Sequence, residues 1–258
     1  MVVFSTWLHP LTLLFLISLL FVVGIIEFFR LLNSSKVQPQ VILSILAGQA
    51  FIIGNYLFIE DYISSQVFLS FLLLPFILFI AELFRGKELF TLNITASISG
   101  IVYLSLPLSF LMYLGYQKGI TQSYKPDLIL GFFILLWLYD TGAYIVGSLA
   151  GRNIIHKKIS PGKSWEGFFG GWIISIGTAY LLSLFFPVLS LLQWVIMASI
   201  IVITGTMGDM VESGMKRMAG VKDSGNLLPG HGGVLDRIDS VLLSVPFIYI
   251  YLKVIEIL

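Results

Sequence analysis

The sequence predicts an all-α fold, a polytopic integral membrane helical bundle with about eight transmembrane helices. Of its 258 residues, 57% are hydrophobic and 11% are charged, proportions outside the usual range of soluble globular domains. Runs of about 20 mostly apolar residues recur along the chain, and each is long enough to cross a hydrocarbon core of about 30 Å as a helix. They leave no room for a soluble domain, so residues 1–258 are predicted to form a single membrane domain.

The apolar runs give each helix an expected position. The first run lacks a basic leading segment and a small-residue cleavage site before Glu27 and Arg30, so it is expected to stay in the membrane as a span rather than be removed as a signal peptide. N-terminal helices would occupy residues 1–127, and the candidate site would lie in residues 128–258. The predicted helices cover residues 7–32, 40–59, 66–84, 94–114, 128–149, 167–186, 188–208 and 239–257.

The distribution of basic residues predicts the orientation in the membrane. When the chain is threaded through eight spans, 12 of the 15 Lys and Arg residues fall on one side. Such an excess marks the cytoplasmic side, which would leave both termini outside the inner membrane. The basic side has Arg30, Lys36, Arg85, Lys87, Arg152, Lys157, Lys158, Lys163, Lys216, Arg217, Lys222 and Arg237, and the other side has Lys118, Lys125 and Lys253.

Composition excludes several kinds of site. The net charge of +1 predicts no nucleic-acid surface. The absence of cysteine excludes disulfides, zinc–thiolate sites and thiol nucleophiles, and three scattered histidines argue against a histidine metal cage. Gly162-Lys163-Ser164 resembles the end of a phosphate-binding P-loop, but Lys157 stands where the first glycine is required. No Gly-x-Ser-x-Gly motif supports a serine nucleophile.

Acidic residues mark a candidate metal site at the cytoplasmic edge. Asp209 and Glu212 are three residues apart at the predicted end of the seventh helix, and Asp236 and Asp239 are three apart near the start of the eighth, so each pair shares a helix face. The helix dipole favours the second pair, whereas the first pair needs an outside cation. Mg²⁺ held by carboxylates and substrate phosphates would provide it. The alternative is salt bridges to Lys216 and Arg217.

Asp140 is a further candidate, because it lies within the apolar run LILGFFILLWLYDTGAYIVG. Intramembrane acids are costly and usually face a site or a partner. A structural ion pair, or a hydrogen bond to Thr141, is the alternative interpretation.

Two long cytoplasmic connections, residues 150–166 and 209–238, contain the candidate anion-binding groups. In SPGKSWEG, Ser160 is predicted to cap a helix with Pro161 at its first position, so that Lys163 and Ser164 face an anion. In PGHGG, residues 229–233, the glycines could wrap a phosphate with main-chain donors, although a plain turn is the alternative. His231 within it could donate to a phosphate or transfer a proton.

The second connection and its flanks contain a spaced set of polar residues and glycines: Ser213, Lys216-Arg217, Lys222-Asp223, Gly225, Leu228-Pro229, His231-Gly232-Gly233, Asp236-Arg237 and Asp239. This set resembles the signature of the phosphatidate cytidylyltransferase (CDP-diacylglycerol synthase) family. DTGAY at 140–144, SPGKSWEG at 160–167 and GDMVES at 208–213 extend the resemblance, and Glu27 is the nearest to a family position in the N-terminal half. Ser164, Arg152 and Ser224 stand where Thr, Lys and a bulky residue are usual, and Ser224 leaves local packing open.

The resemblance implies Mg²⁺-dependent attack of phosphatidate on the α-phosphorus of CTP, which yields CDP-diacylglycerol and pyrophosphate at the bilayer surface. One or two divalent ions, and a homodimer, are both compatible with it. The implied catalytic residues are Asp209, Lys222, Asp236, Arg237 and Asp239. The implied metal ligands are Asp209 and Asp236, supported by Glu212 and Asp239. The implied substrate-binding residues are Asp140, Ser160, Lys163, Ser164, Ser213, Lys216, Arg217, Asp223, His231, Gly232 and Gly233.

Two alternatives remain at this point. One is a CTP-dependent kinase or cytidylyltransferase that acts on an isoprenoid or ether lipid. The other is an ion-coupled transporter, which would need polar residues at the membrane midplane in paired broken helices, whereas most acids here cluster at the cytoplasmic edge.

Overall fold

A computed structural model describes residues 9–32, 36–117, 124–225 and 232–258. It confirms the all-α membrane fold with eight long helices in these residues, of which the third is interrupted by a 3₁₀ turn at Ser70–Leu73. A short hairpin of β1 (Ile154–His156) and β2 (Ser160–Ser164) separates the fifth and sixth helices. The helices are α1 (Pro10–Leu32), α2 (Val41–Ile59), α3 (Ser65–Arg85), α4 (Phe90–Tyr113), α5 (Asp127–Ala150), α6 (Trp165–Phe185), α7 (Leu191–Met218) and α8 (Leu235–Val254).

Within the described ranges, the seven helices α1 to α7 are long and apolar enough to cross a membrane. Helix α8 is also long but has four charged residues, and it is not among the seven. Three of these charges, Asp236, Arg237 and Asp239, lie in its first two turns. The first turns of α8 are therefore built for a polar site rather than for lipid.

Helix α7 is longer than the sequence predicts. It continues ten residues past the predicted end at 208, so Asp209 and Glu212 lie inside the helix rather than at its C-terminus. The last turn instead has Lys216 and Arg217, which suit the negative end of the helix dipole. Loss of apolar residues marks where the chain leaves lipid, but Met, Glu, Lys and Arg are good helix formers and continue the backbone hydrogen bonds beyond that point.

The predicted helix start at Ser160 and Pro161 is wrong. These residues belong to β2, which pairs antiparallel with β1, and α6 begins at Trp165. Ser164 is the true N-cap, since its hydroxyl accepts the Gly167 N–H at 3.2 Å. Glu166 closes the base of the hairpin by accepting the backbone N–H groups of residues 152 and 153, each at 3.1 Å. Pairing with β1 therefore holds the Pro-Gly segment in extended form.

The corrected cap is testable by comparing two serines. Ser164→Ala is expected to cost about 1 kcal/mol of stability, because the Gly167 N–H loses its acceptor. Ser160→Ala should change stability little, since Ser160 caps no helix. Thermal unfolding in detergent measures both variants. A larger loss for Ser160→Ala than for Ser164→Ala would contradict the assigned cap.

Two close helix crossings bring the polar ends of the helices together. A Cβ added to Gly167 of α6 would lie 2.7 Å from the carbonyl oxygen of Ala143 on α5, and one added to Gly208 of α7 would lie 2.6 Å from that of Asp239 on α8. Only glycine fits such contacts, and small residues let membrane helices approach closely. The crossings place Asp140 beside α6 and Asp209 beside α8.

The N-terminal half packs around α4, which contacts α1, α2 and α8. A buried polar network joins the start of α2 to α3 and α4. Glu82, which is fully buried, accepts hydrogen bonds from Gln40 and Asn93 at 2.8 Å each and pairs with Arg85 at 2.6 Å. Both carboxylate oxygens are satisfied, so this network stabilises the fold.

Candidate active site

A cavity of about 620 Å³ lies among α1, α4, α5, α6, α7, α8 and the hairpin. Its polar lining comes from the hairpin and from α5, α7 and α8, and its apolar lining comes largely from α1, α4 and α5. The charged residues are Asp140, Lys163, Asp209, Asp236, Arg237 and Asp239, the hydroxyl residues include Ser164, Thr206 and Ser240, and the apolar residues include Leu16, Leu20, Leu108, Leu111, Phe133, Leu136 and Trp137. The cavity thus places charged groups and an apolar wall in one space.

Asp209 is held by the hairpin. Its carboxylate pairs with Lys163 at 2.7 Å and accepts the Ser213 hydroxyl at 3.1 Å. Lys163 also donates to the carbonyl of Thr206 at 3.4 Å. The cation that neutralises Asp209 therefore comes from β2, and not from Lys216 or Arg217 as the salt-bridge alternative supposed.

Lys216 joins Glu212 of α7 to Asp236 of α8. Its ammonium group lies 2.5 Å from Glu212 and 2.5 Å from Asp236. Glu212 is fully buried, and its Oε1 meets no hydrogen-bond donor in the described residues. One lysine thus has to neutralise two carboxylates in a largely buried place.

Asp236 is the most heavily bonded acid of the site. Its Oδ2 accepts the N–H groups of Gly233 at 2.8 Å and Ser224 at 3.0 Å, and the Ser224 hydroxyl at 2.9 Å. Gly232 has φ +77°, and a Cβ there would lie 2.9 Å from the same oxygen. The positive φ and the close approach of this carboxylate require glycine at 232, and the Gly233 N–H, expected to face a phosphate, donates to Asp236. His231 lies outside the described residues.

Asp140 lines the cavity. The alternative interpretation, a hydrogen bond between Asp140 and Thr141, is wrong. The Thr141 hydroxyl donates to the carbonyl of Trp137 at 2.8 Å. Asp140 instead lines the same space as Lys163 and Asp209.

Other predicted site residues do not line this cavity, within the part of the chain that is described. Lys222 and Asp223 are exposed in the segment after α7, and Arg217 is exposed on the last turn of α7, where it donates to the carbonyl of Val221 at 3.4 Å. Ser160 begins β2 and is half-buried. The family resemblance implied these residues, but the fold brings only part of the implied set into the cavity.

Two further residues shape the site beyond the predicted set. Glu27 of α1 accepts the N–H groups of Val234 at 3.1 Å and Leu235 at 2.8 Å, at the start of α8. Ser224 is buried, and its hydroxyl donates to Asp236. The position where a bulky residue is usual in the family therefore has a hydrogen-bonding serine. The sequence signal for Glu27 is a lone acid in an apolar span.

The acidic residues of the site have the chemistry to bind a hard divalent cation. In the described ranges, however, no group of three acidic or histidine side chains lies in metal-binding geometry. Asp209, Glu212, Asp236 and Asp239 supply carboxylate oxygens, which Mg²⁺ prefers. The donorless Oε1 of buried Glu212 is the kind of atom that a cation would satisfy. Binding of Mg²⁺ by these residues therefore stays a prediction, and their carboxylate oxygens are of the kind that the ion prefers.

Comparison with known proteins places the chain in a family. Residues 1–255 match the model of the cytidylyltransferase family. Proteins named phosphatidate cytidylyltransferase from Staphylococcus epidermidis and Staphylococcus haemolyticus are each 46% identical over 134 residues, and one from Staphylococcus aureus is 42% identical over the same length. Each match covers 51% of this chain and 51% of the relative, so the chain spans about half the length of the curated relatives it matches. Because the family match extends over nearly all of its residues, this chain belongs to the cytidylyltransferase family.

Proposed function

We propose that this protein transfers a cytidylyl group from CTP to phosphatidate and releases pyrophosphate, on the cytoplasmic side of the inner membrane. The observation that supports this most is the single cavity in which the charged side chains of α5, α7, α8 and β2 adjoin a wall of leucines. A water-soluble nucleotide and a lipid phosphate need such neighbouring surfaces in order to react. The names of the staphylococcal relatives support the same reaction.

The reaction needs positioning and charge neutralisation more than proton transfer. A phosphate oxygen of phosphatidate forms a bond to the α-phosphorus of CTP, while the bond from that phosphorus to the pyrophosphate oxygen breaks. The phosphomonoester is largely ionised at neutral pH, so it needs no strong base. Catalysis then depends on holding two anions together.

The cations of the cavity are suited to that task. Lys163 and Arg237 line it directly, and Lys216 lies behind Asp236. Lys163 sits on a hairpin strand and reaches across to α7, so it can neutralise phosphate oxygens between the two elements. Magnesium, held by Asp209 and Asp236 with support from Glu212 and Asp239, would add further neutralisation of phosphate charge.

The leucine wall is suited to an acyl chain. Leu16 and Leu20 come from α1, and Leu108 and Leu111 come from α4. Burying a methylene group contributes about 0.8 kcal/mol, so a chain lying along this wall would bind the lipid while its phosphate stays among the charges. The acceptor is thereby expected to be a phospholipid rather than a water-soluble phosphate.

Position-specific labels test this function. Purified protein is incubated with Mg²⁺ and CTP labelled at either the α- or the γ-phosphorus, with phosphatidate or a polyprenol as acceptor. We expect α-label to enter lipid with phosphatidate and an equal amount of pyrophosphate to appear. Transfer of γ-label would indicate a kinase, and α-label in lipid only with the polyprenol would indicate a different acceptor. Either result would refute the proposal.

A tryptophan in the leucine wall should raise the KM for long acyl chains. Leu20→Trp is expected to increase the KM for a long-chain phosphatidate by about 10-fold relative to a short-chain one, because the larger side chain fills space that an acyl chain would use. The KM for CTP should stay constant. Leu19→Trp is the matched control, since Leu19 is 47% exposed on the outside of α1. Equal effects of the two variants would contradict an acyl site here.

A further inference from the structure

Glu27 is a buried carboxylate far from the charged loops in sequence but bonded to them in space. It is 2% exposed and does not line the cavity described above. Its oxygens accept the N–H groups of Val234 and Leu235, and the Ser224 hydroxyl lies 3.4 Å from Oε2. One side chain of α1 therefore contacts the chain on both sides of residues 226–231.

The fit around this carboxylate is tight. A Cβ on Gly225 would lie 2.3 Å from Glu27 Oε1, and one on Gly233 would lie 2.6 Å from Oε2. Both backbone segments are thus packed directly against Glu27. Glycine at these two positions is required by the approach of the carboxylate.

Helix α8 obtains its N-terminal cap from α1. Its own N-cap residue is Val234, whose side chain cannot accept a hydrogen bond. The first N–H groups of a helix need acceptors, and a carboxylate there also suits the helix dipole. Glu27 supplies both the hydrogen-bond acceptors and the carboxylate to the turn that contains Asp236 and Arg237.

We propose that Glu27 is a positioning residue for the transfer reaction, which sets the first turn of α8 and thereby the place of Asp236 in the cavity. This inference rests on the proposed function for its kinetic consequence only. Ser224 links the two acids, because its hydroxyl donates to Asp236 at 2.9 Å and lies against Glu27. Movement of the capped turn would displace Asp236, Arg237 and Asp239 together.

Two identical substitutions test the role. Glu27→Gln leaves one oxygen and turns an amide donor toward the N–H groups of Val234 and Leu235, so one of these bonds is lost. Glu82→Gln is the matched control, because Glu82 is also buried and also accepts from three donors, in a network away from the cavity. Hydrogen exchange of residues 232–240 is measured for both variants, together with kcat and KM.

Glu27→Gln is expected to speed exchange in residues 232–240 by at least about 10-fold and to lower kcat by about 10- to 100-fold with little change in KM. Glu82→Gln should speed exchange near residues 78–97 and leave both kcat and residues 232–240 unchanged. If Glu27→Gln does not fold, Glu27→Asp serves, since it keeps the charge but withdraws the oxygens from α8.

Three results would overturn the proposal: unchanged exchange in residues 232–240, equal loss of kcat in the Glu27 and Glu82 variants, or failure of both Glu27 variants to fold. The exchange measurement needs no substrate. A wild-type protein that does not label phosphatidate would therefore refute the proposed function, while the exchange comparison would still decide the role of Glu27.

Discussion

Asp236→Asn is expected to lower turnover by at least about 100-fold. The carboxylate lines the cavity, pairs with Lys216 and accepts three hydrogen bonds from Ser224 and Gly233. An amide keeps one oxygen for the N–H groups, but its NH₂ group then faces the Lys216 ammonium, and the charge that would hold a cation or orient Lys216 is lost. The measurement is transfer of α-label from CTP to phosphatidate.

The control for this variant is Asp127→Asn. Asp127 also lies in the first turn of a helix, at the N-terminus of α5 and away from the cavity. Its substitution should leave turnover unchanged within about twofold, because Asp127 does not line the cavity. Asp236→Asn protein must still elute as a folded species in detergent, because the change leaves apolar packing intact. Near-wild-type turnover in Asp236→Asn would remove this acid from the mechanism.

Lys216→Met is expected to destabilise the protein by about 3–5 kcal/mol, since breaking a buried ion pair leaves its partner uncompensated. Glu212 is fully buried, and Lys216 is its charged partner at 2.5 Å. For a chain of this size the loss corresponds to a fall in the thermal midpoint of about 10 °C. Turnover should fall as well, because Asp236 loses the same partner.

A double variant separates ion pairing from packing. Glu212→Gln combined with Lys216→Met removes both charges, so its midpoint should lie closer to that of wild type than the midpoint of Lys216→Met alone. Arg217→Met is the neighbouring control and should have a small effect, because Arg217 is exposed. A double variant less stable than Lys216→Met would show that Glu212 does not depend on Lys216.

The sequence predicted the helices well because a span needs a run of apolar residues, which composition reveals directly. It predicted helix ends poorly. The end of α7 at Met218 and the strand at Ser160–Ser164 both lie where the chain has left the apolar layer. There, backbone hydrogen bonding and local pairing decide the structure, and hydropathy carries no information on either.

The fold brings only part of the predicted site into one cavity. Asp140, Lys163, Asp209, Asp236 and Asp239 do meet in one cavity, as a group of acids beside basic loops suggested. Glu212 pairs with Lys216, as the salt-bridge alternative supposed. Spacing along one helix indicated only that Asp209 and Glu212 share a face. It could not predict which lysine neutralises Asp209, because that contact joins β2 to α7 over a long separation in sequence.

The amino-acid sequence by itself determined that this protein is a helical membrane bundle with few charged residues inside its apolar runs, because the cost of placing polar groups in lipid restricts where they can occur. Only the tertiary structure decided which charges become partners. Glycine contacts at Gly167 and Gly208 set how closely the helices cross, and Glu27 joins the first helix to the last across about 200 residues of sequence. Such contacts depend on the packing of whole helices in three dimensions, which no local pattern of residues specifies.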